Sequence, residues 1–151
     1  DMGTSVRVQT EDFDLAEAYQ NLSHNPRAGA VVCFVGLVRD LADEPLEAME
    51  LEHYPGMTEK ALEAIARDAA ERWPLEDIVI IHRVGRLEVT EQIVLVGVSS
   101  GHRQAAFESC QFIMDFLKNR APFWKKEITA SGARWVAAKT SDQQALERWQ
   151  R

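Results

Sequence analysis

The sequence predicts a single α+β domain. Segments with strand and helix patterns follow one another in the order β α β β α β β α β β α, so strands repeatedly occur in consecutive pairs. A doubly wound parallel sheet needs a helix between successive strands, and this order therefore favours mixed strand pairing in an α+β fold. A chain of 151 residues with 46% hydrophobic residues can bury one substantial core.

The expected domain covers almost the whole chain. Residues 1–5 look like a leftover of protein expression or a disordered start, and we expect them to lie outside the fold. Residues 6–151 form the domain, since no repeat, low-complexity tract or long linker divides them. No secretory leader opens the chain and no apolar run approaches 18 residues, so we expect a cytoplasmic protein without a membrane span.

The first third of the domain predicts a helix and two strands. Apolar residues recur at helical spacing over residues 12–22. Residues 29–36 form a continuous apolar run between glycines, which is typical of a buried central strand. Residues 46–53 alternate in polarity and predict a partner strand, which ends at a turn around Pro55 and Gly56.

The middle of the chain predicts a helix followed by two strands. Thr58 is the expected N-cap of a helix over residues 58–73, because a threonine side chain can accept hydrogen bonds from the first-turn amides. Pro74 ends that helix. Residues 77–85 and 92–99 are apolar runs separated by an acidic turn, and we expect both to be buried strands.

The last part predicts a long helix, two strands and a short helix. Ser99 or Ser100 is the expected cap of a helix over residues 101–120, which Pro122 stops. Strand patterns follow at residues 123–129 and 134–138. Residues 141–144 match a capping box that opens a final helix.

A cationic cluster lies at the end of the long helix. The formal net charge of the chain is -7, yet four cations fall within nine residues: Lys118, Arg120, Lys125 and Lys126. A pI near 5 argues against a general nucleic-acid binder, which needs an extended basic footprint. The cluster therefore indicates a site for a compact anion.

Two lysines of the cluster have the spacing for chemistry. If the chain reverses at Pro122, Lys118 and Lys125 can meet, and strand alternation places Glu127 on the side of Lys125 and Lys126 on the opposite side. Two ammonium groups in one partly desolvated pocket lower the pKa of at least one of them. A lysine of that kind can act as a nucleophile or carry a proton.

Arg39 and the pair His102-Arg103 are further candidates. Arg39 follows a glycine-containing strand end, and it is either a ligand contact or a solvated loop residue. His102 and Arg103 lie at the start of the long helix. They either bind an anion at the helix N-terminus or are exposed polar side chains at a capped helix start. Arg103 and Lys118 are fifteen residues apart, about 22 Å along a helix, so either they serve different sites or a dimer brings them to one ligand, and we favour the dimer as a hypothesis.

The remaining candidates predict neither a metal nor a cofactor. The four histidines lack metal-like spacing, and no P-loop, dinucleotide or nucleophile-elbow motif occurs. Cys33 and Cys110 lie in apolar runs and lack CxxC spacing, so we interpret them as buried free thiols in a reducing cytosol.

Three segments closely resemble the large, catalytic subunits of molybdopterin synthase. They are residues 51–60 (LEHYPGMTEK), 100–103 (SGHR) and 112–127 (FIMDFLKNRAPFWKKE). The likeness covers the chain from about Val6 to Trp149. It implies an α/β-hammerhead fold with an additional small antiparallel sheet, in which residues 6–151 are a single catalytic domain.

The resemblance also implies an activity and partners. The expected substrate is cyclic pyranopterin monophosphate, which receives two sulfurs to form the dithiolene of molybdopterin. The expected donor is the C-terminal thiocarboxylate of a small ubiquitin-like carrier subunit that ends in Gly-Gly. Two large subunits form the homodimeric core of a heterotetramer, with one carrier at each end.

The resemblance assigns roles to residues of this chain. Lys118 is the central catalytic group, with Lys125 stabilising charge or moving protons. The implied substrate-binding set is Leu37, Val38, Arg39, His102, Arg103, Lys118, Lys125, Lys126 and Glu127. Within it, Leu37 departs from a lysine found in the family, and His102 and Arg103 come from the partner subunit. The competing interpretations are a non-enzymatic module that binds an anion or acidic peptide, and an inactive relative that only scaffolds the carrier.

Overall fold

The computed structural model describes residues 3–137 and 139–150, which form eight strands, four α-helices and one 3-10 turn. The strands are β1 Gly3–Gln9, β2 Ala30–Leu37, β3 Leu46–His53, β4 Leu75–Arg83, β5 Gly85–Leu87, β6 Gln92–Ser100, β7 Phe123–Thr129 and β8 Gly132–Val136. The helices are α1 Leu15–Ser23, α2 Met57–Arg72, α3 Arg103–Arg120 and α4 Thr140–Ala145, and the 3-10 turn is Leu146–Trp149.

The first sheet carries the main core. Its strand order is β1-β4-β6-β2, with β1 parallel to β4 and the other neighbours antiparallel. Alternation along β4 sends Ile78 and Ile80 into a core with α2 and α3, and Val79 and Ile81 into a second core with α1. Gly97 of β6 faces α1 so closely that a Cβ there would lie 2.5 Å from a Leu22 methyl carbon.

The second sheet is antiparallel, in the order β5-β3-β7-β8. The chain crosses from the first sheet to the second directly after β4, at Gly85, whose φ of 91° is readily adopted only by glycine. Met49, Leu51 and Leu87 form a small core between the two sheets. The α+β class, the single domain and the additional antiparallel sheet are therefore confirmed.

The boundary expected at the start of the chain is wrong where the structure describes it. Gly3, Thr4 and Ser5 belong to β1 and pair with residues 77–79 of β4, because β1 completes the edge of the first sheet. Asp1, Met2 and Arg151 lie outside the described residues, as does Ala138, the predicted last residue of the final strand.

The short strand β5 and the 3-10 turn were not predicted. None of the described helices is long and apolar enough to cross a bilayer.

The predicted helix caps differ from the observed ones. Helix α2 begins at Met57 with Gly56 as its N-cap, while Thr58 lies inside the first turn. Ser99 and Ser100 belong to β6, and α3 begins after His102, which makes no side-chain cap bond. The Ser100 hydroxyl accepts a hydrogen bond from the His102 amide and donates one to the Pro74 carbonyl, so it joins strand to loops.

The capping box predicted at residues 141–144 is also not observed. Helix α4 begins at Thr140, with Lys139 as an N-cap residue that makes no side-chain cap bond. The helix is instead held by tertiary contacts, because the Asn119 side chain donates to the Asp142 carbonyl at 2.7 Å.

Thr58 is a fully buried link between two loops. Its hydroxyl accepts a hydrogen bond from the Tyr54 amide at 3.0 Å and donates one to the Pro122 carbonyl at 3.0 Å. The first bond fixes the turn before α2, and the second fixes the chain reversal between α3 and β7. One side chain therefore ties two turns that are far apart in sequence.

We expect Thr58→Val to lower the free energy of unfolding by about 2–3 kcal/mol, because a valine of the same shape leaves the part-buried Tyr54 amide and Pro122 carbonyl without this partner. Urea denaturation measures the change as a shift in midpoint at constant slope. Thr58→Ser, which keeps the hydroxyl and removes one methyl, should cost only about 1 kcal/mol. Equal losses in the two variants would contradict the role of the hydroxyl.

Candidate active site

A cleft of about 840 Å³ opens between the two sheets and the end of α3. Five cationic residues line it, and we call it the cationic cleft: Arg39, Lys118, Lys125, Arg134 and Lys139. Its apolar walls include Phe34, Leu37, Met114, Leu117 and Phe123. The negative protein therefore concentrates positive charge in a concave, partly apolar space, an arrangement suited to a small anion with an organic body.

The reversal between α3 and β7 places the two central lysines. Helix α3 ends at Arg120, the Ala121 amide still bonds back to the Leu117 carbonyl, and Pro122 prevents a further turn. Lys118 lies in the last helical turn, and Lys125 lies three residues into β7. The structure thus brings both lysines to the cleft, as the sequence predicts.

The environment of Lys125 disfavours its charged form. Burial lowers its pKa from the ordinary value of 10.5, and the charges of Lys118 and Lys139 lower it further. Glu127 and Asp142 partly oppose this effect. Lys125 therefore gives up its proton more easily than an exposed lysine, which suits a group that transfers protons.

Glu127 and Lys126 point to opposite sides of β7. The Glu127 carboxylate lines the cleft and accepts hydrogen bonds from Nε and an Nη of Arg134 at 3.3 and 3.2 Å. The Lys126 ammonium lies on the outer face of the sheet, 3.7 Å from Glu50 and 5.0 Å from the centre of the Trp135 ring. Strand alternation turns the Lys126 side chain away from the cleft of its own chain, and its assignment to the substrate-binding set stays a prediction.

The loop after β2 contributes two of its three expected residues. Leu37 and Arg39 line the cleft. Val38 is only 2% exposed, packs in the core between the sheets, and bonds through its backbone to Thr90 and Glu91. Its side chain does not line the cleft, and its inclusion in the substrate-binding set stays a prediction.

His102 and Arg103 lie at the opposite end of α3 from Lys118. Both are exposed, and neither lines the cationic cleft. This placement agrees with the separation of about 22 Å expected for fifteen residues of helix. A single chain does not bring the pair to the cleft.

The sequence-based prediction missed five ionisable residues of the cleft: Asp40, His82, Arg134, Lys139 and Asp142. His82 could have been noticed as a polar residue at the end of the apolar run of β4. Its imidazole is buried, and burial lowers its pKa to about 4. Lys139 and Asp142 follow β8, and the helix pattern at residues 141–144 gives no indication that this segment returns to the cleft.

The two cysteines are poorly suited to act as sulfur nucleophiles. Cys110 is buried, and burial raises its thiol pKa to about 12. Burial also raises the pKa of Cys33. Both thiols are free, and each remains largely protonated near neutral pH. Within residues 3–137 and 139–150, no group of three or more His, Cys, Asp or Glu side chains is arranged to hold a metal ion.

Comparison with known proteins gives a consistent result. The family model described as "MoaE protein" matches residues 8–120. A Vibrio cholerae protein named "Molybdopterin synthase catalytic subunit" is 54% identical over 150 residues, covering 99% of this chain and all of its own length. A Burkholderia ambifaria structure titled as a molybdopterin biosynthesis MoaE protein is 55% identical, with a TM-score of 0.84 and coverage of 98% and 99% of the two chains. A Staphylococcus aureus structure titled as molybdopterin synthase is 35% identical, with a TM-score of 0.81 and coverage of 86% and 95%.

Removing the Lys125 charge should stabilise the fold at neutral pH. Because the folded pKa of Lys125 is depressed, the unfolded chain holds the proton more tightly, and the protein gains stability as pH rises through the folded pKa toward 10.5. We expect Lys125→Met to raise the melting temperature at pH 7, with the gain shrinking as pH approaches 10. Thermal unfolding followed by circular dichroism over this pH range measures the difference.

Lys126→Met is the matched control, since it alters the neighbouring lysine on the outer face and should give no such gain. A Lys125→Met protein less stable than the parent at pH 7 would contradict the desolvation argument.

Proposed function

Because the chain belongs to the MoaE protein family, whose curated relatives are molybdopterin synthase catalytic subunits, we propose that its cationic cleft is the place of sulfur transfer. The chain is the catalytic subunit of a sulfurtransferase in molybdenum cofactor biosynthesis. The observation that carries the assignment of the cleft is the convergence of Lys118 and the half-buried Lys125 in it.

The sulfur comes from outside the chain. Cys33 and Cys110 are held as protonated thiols, so neither supplies a reactive thiolate. The name "catalytic subunit" in the relatives implies a second subunit, and a small carrier fits the part of donor. Its C-terminal Gly-Gly thiocarboxylate is a slender anion that can enter a cationic cleft. Free thiols are compatible with a reaction in a reducing cytoplasm.

The acceptor is cyclic pyranopterin monophosphate. Its phosphate needs cationic donors, and Arg39 offers a planar fork at the rim of the cleft. Its flat ring system needs apolar walls, which Phe34 and Met114 supply. Both reacting partners are anions, so the cleft must neutralise two charges that repel each other before they can react.

Lys118 and Lys125 divide the chemical work. The thiocarboxylate sulfur bonds to a side-chain carbon of the pterin as a carbon–oxygen bond at that carbon breaks, the oxygen leaving as water or as the released phosphate oxygen, and a thioester joins carrier and pterin. Water then attacks the acyl carbon, or the Lys118 amine attacks it and water later hydrolyses the resulting amide. The acyl–sulfur bond breaks, the carrier leaves as a carboxylate, and the sulfur stays on the pterin. Lys118 stands at the carrier end, and Lys125 supplies or removes the protons as charge develops. Two such cycles build the dithiolene.

The complete pocket needs a second copy of the chain. His102 and Arg103 lie far from the cleft of their own chain, and a homodimer delivers them to the cleft of the partner as additional phosphate or pterin contacts. A carrier at each end then gives a heterotetramer. A non-enzymatic binding module would explain the cations equally well, but the catalytic naming of relatives more than half identical in sequence favours the enzyme.

We expect Lys118→Ala to reduce sulfur transfer by about a thousandfold or more, as removal of a central catalytic group commonly does. Single-turnover reactions with thiocarboxylated carrier and cyclic pterin, analysed by mass for the dithiolene product, measure the loss. Carrier binding by calorimetry should remain unchanged. Lys126→Ala is the control and should keep nearly full activity, because that side chain faces away from the cleft. Substantial turnover by Lys118→Ala would remove this lysine from the central role.

Mixed dimers test whether the pocket is shared between subunits. Arg103→Ala and Lys118→Ala should each be inactive alone, but a mixed dimer of the two contains one intact pocket. Equal mixing after subunit exchange should therefore restore about a quarter of the parent activity. Mixing Lys118→Ala with Lys125→Ala should restore none, since both residues come from one chain. Absence of recovery in the first mixture would show that His102 and Arg103 do not act across a dimer.

A further inference from the structure

His82 occupies the floor of the cationic cleft. It is the second-last residue of β4, and it is 5% exposed. Its imidazole lies flat against the Phe123 ring of β7, with the ring centres 3.8 Å apart and the planes 18° apart. This stacking links β4 of the first sheet to β7 of the second sheet. Phe123 is the first residue of β7, and Lys125 lies on the same strand. The imidazole is therefore held in one orientation.

The hydrogen bond of His82 defines its tautomer. Nδ1 lies 2.8 Å from the Arg83 carbonyl oxygen, and a carbonyl only accepts hydrogen bonds, so Nδ1 carries the hydrogen. The other nitrogen, Nε2, then has a lone pair and can only accept. Burial lowers the His82 pKa to about 4, and the Lys118 and His53 charges contribute in the same direction. The ring is therefore neutral at neutral pH.

The Nε2 lone pair opens to the cleft. Across residues 3–137 and 139–150, every fully buried side-chain nitrogen or oxygen has a hydrogen-bond partner, and the described bond of His82 is made by Nδ1. Nε2 is therefore not sealed inside the protein, and the open space beside this ring is the cleft. Its lone pair is available to a bound molecule.

Among the described side chains that line the cleft, the nitrogen and oxygen acceptors are His82 and three carboxylates, those of Asp40, Glu127 and Asp142. The lysines and Arg39 only donate hydrogen bonds. One oxygen of Glu127 accepts hydrogen bonds from Arg134, and one oxygen of Asp40 accepts from the amides of Leu41 and Leu46, so each of these charged acceptors is already partly engaged. A pterin carries several N–H groups on its ring and its exocyclic amine, and each of these needs an acceptor once it leaves water. His82 offers an uncharged one at the buried end of the cleft.

We propose that His82 is a specificity-determining residue, whose Nε2 accepts a hydrogen bond from an N–H group of the pterin ring. The cations recognise the charges of the ligand, which a phosphate alone also has, whereas His82 recognises the heterocycle. A site built to pair with an N–H group discriminates strongly against ligands that lack it. This inference rests on the proposed function, since it requires the pterin to occupy the cleft.

The first test compares three variants in equilibrium binding of cyclic pyranopterin monophosphate. His82→Phe keeps a ring to stack on Phe123 but has no acceptor, and we expect it to weaken binding ten- to a hundredfold. His82→Gln places an amide oxygen near the Nε2 position and should stay within about threefold of the parent. His82→Asn, whose shorter side chain reaches only the Nδ1 position, should resemble His82→Phe. Inorganic phosphate is the control ligand, and its affinity should be the same for all four proteins.

The second test needs no variant. In the parent protein, two-dimensional proton–nitrogen NMR should show His82 as the Nδ1–H tautomer. The Nε2 resonance should move when the pterin binds and should not move with saturating inorganic phosphate. This measurement decides the question even if the variants fold poorly.

The outcomes separate the inference from the function it rests on. Formation of the dithiolene by the parent protein supports the proposed function, and its failure would overturn that function directly. Given an active parent, pterin affinity unchanged in His82→Phe, equal weakening in His82→Gln and His82→Phe, or an Nε2 resonance that stays fixed on pterin binding would each overturn the assignment of His82. Loss of turnover without loss of pterin affinity would also overturn it, because His82 would then act on the chemistry and not on recognition.

Discussion

The chain reversal between α3 and β7 determines the geometry of the site. Helix α3 ends at Arg120, two residues before Pro122, and the buried Thr58 hydroxyl donates a hydrogen bond to the Pro122 carbonyl at 3.0 Å. This hydrogen bond fixes the position of the reversal, and with it the positions of Lys118 in the last turn of α3 and of Lys125 in β7. The cleft lies at this point because the chain continues from α3, which packs on the first sheet, into β7 of the second sheet. A change in the reversal would separate the two lysines even if every residue of the cleft were retained.

The site combines functions that conflict in a stable protein. Lys125 is half-buried near two other ammonium groups, which disfavours its charged form and costs stability. The apolar cores on both faces of the first sheet, around β4 and β6, supply stabilising free energy that offsets this loss. The neutral His82 adds a polar group to the same region without adding a further positive charge. The proposed anion binding and proton transfer thus depend on a scaffold whose stability comes from these apolar cores.

The sequence predicts most of the fold because the central strands are encoded locally. Apolar runs such as that of β6 are bounded by turn residues, and the helical spacing in α3 is regular. The cap predictions at Thr58 and Ser100 are wrong for a tertiary reason, since both hydroxyls serve loops distant in sequence. Within the site, strand alternation correctly separates Lys125 from Lys126, whereas the broader resemblance placed them together. Lys139 returns to the cleft through contacts such as that of Trp149 with Asp115, which no local pattern shows.

The protected cysteines have a consequence for the fidelity of sulfur delivery. An accessible thiolate beside a thiocarboxylate would attack its acyl carbon, expel hydrosulfide and leave the carrier attached to the enzyme as a dead-end thioester. Cys110, with its pKa raised to about 12 inside the core, does not compete in this way. Burial of the thiol thus prevents this side reaction with the thiocarboxylate. The enzyme can handle reactive sulfur repeatedly because its own sulfur atoms take no part in the exchange.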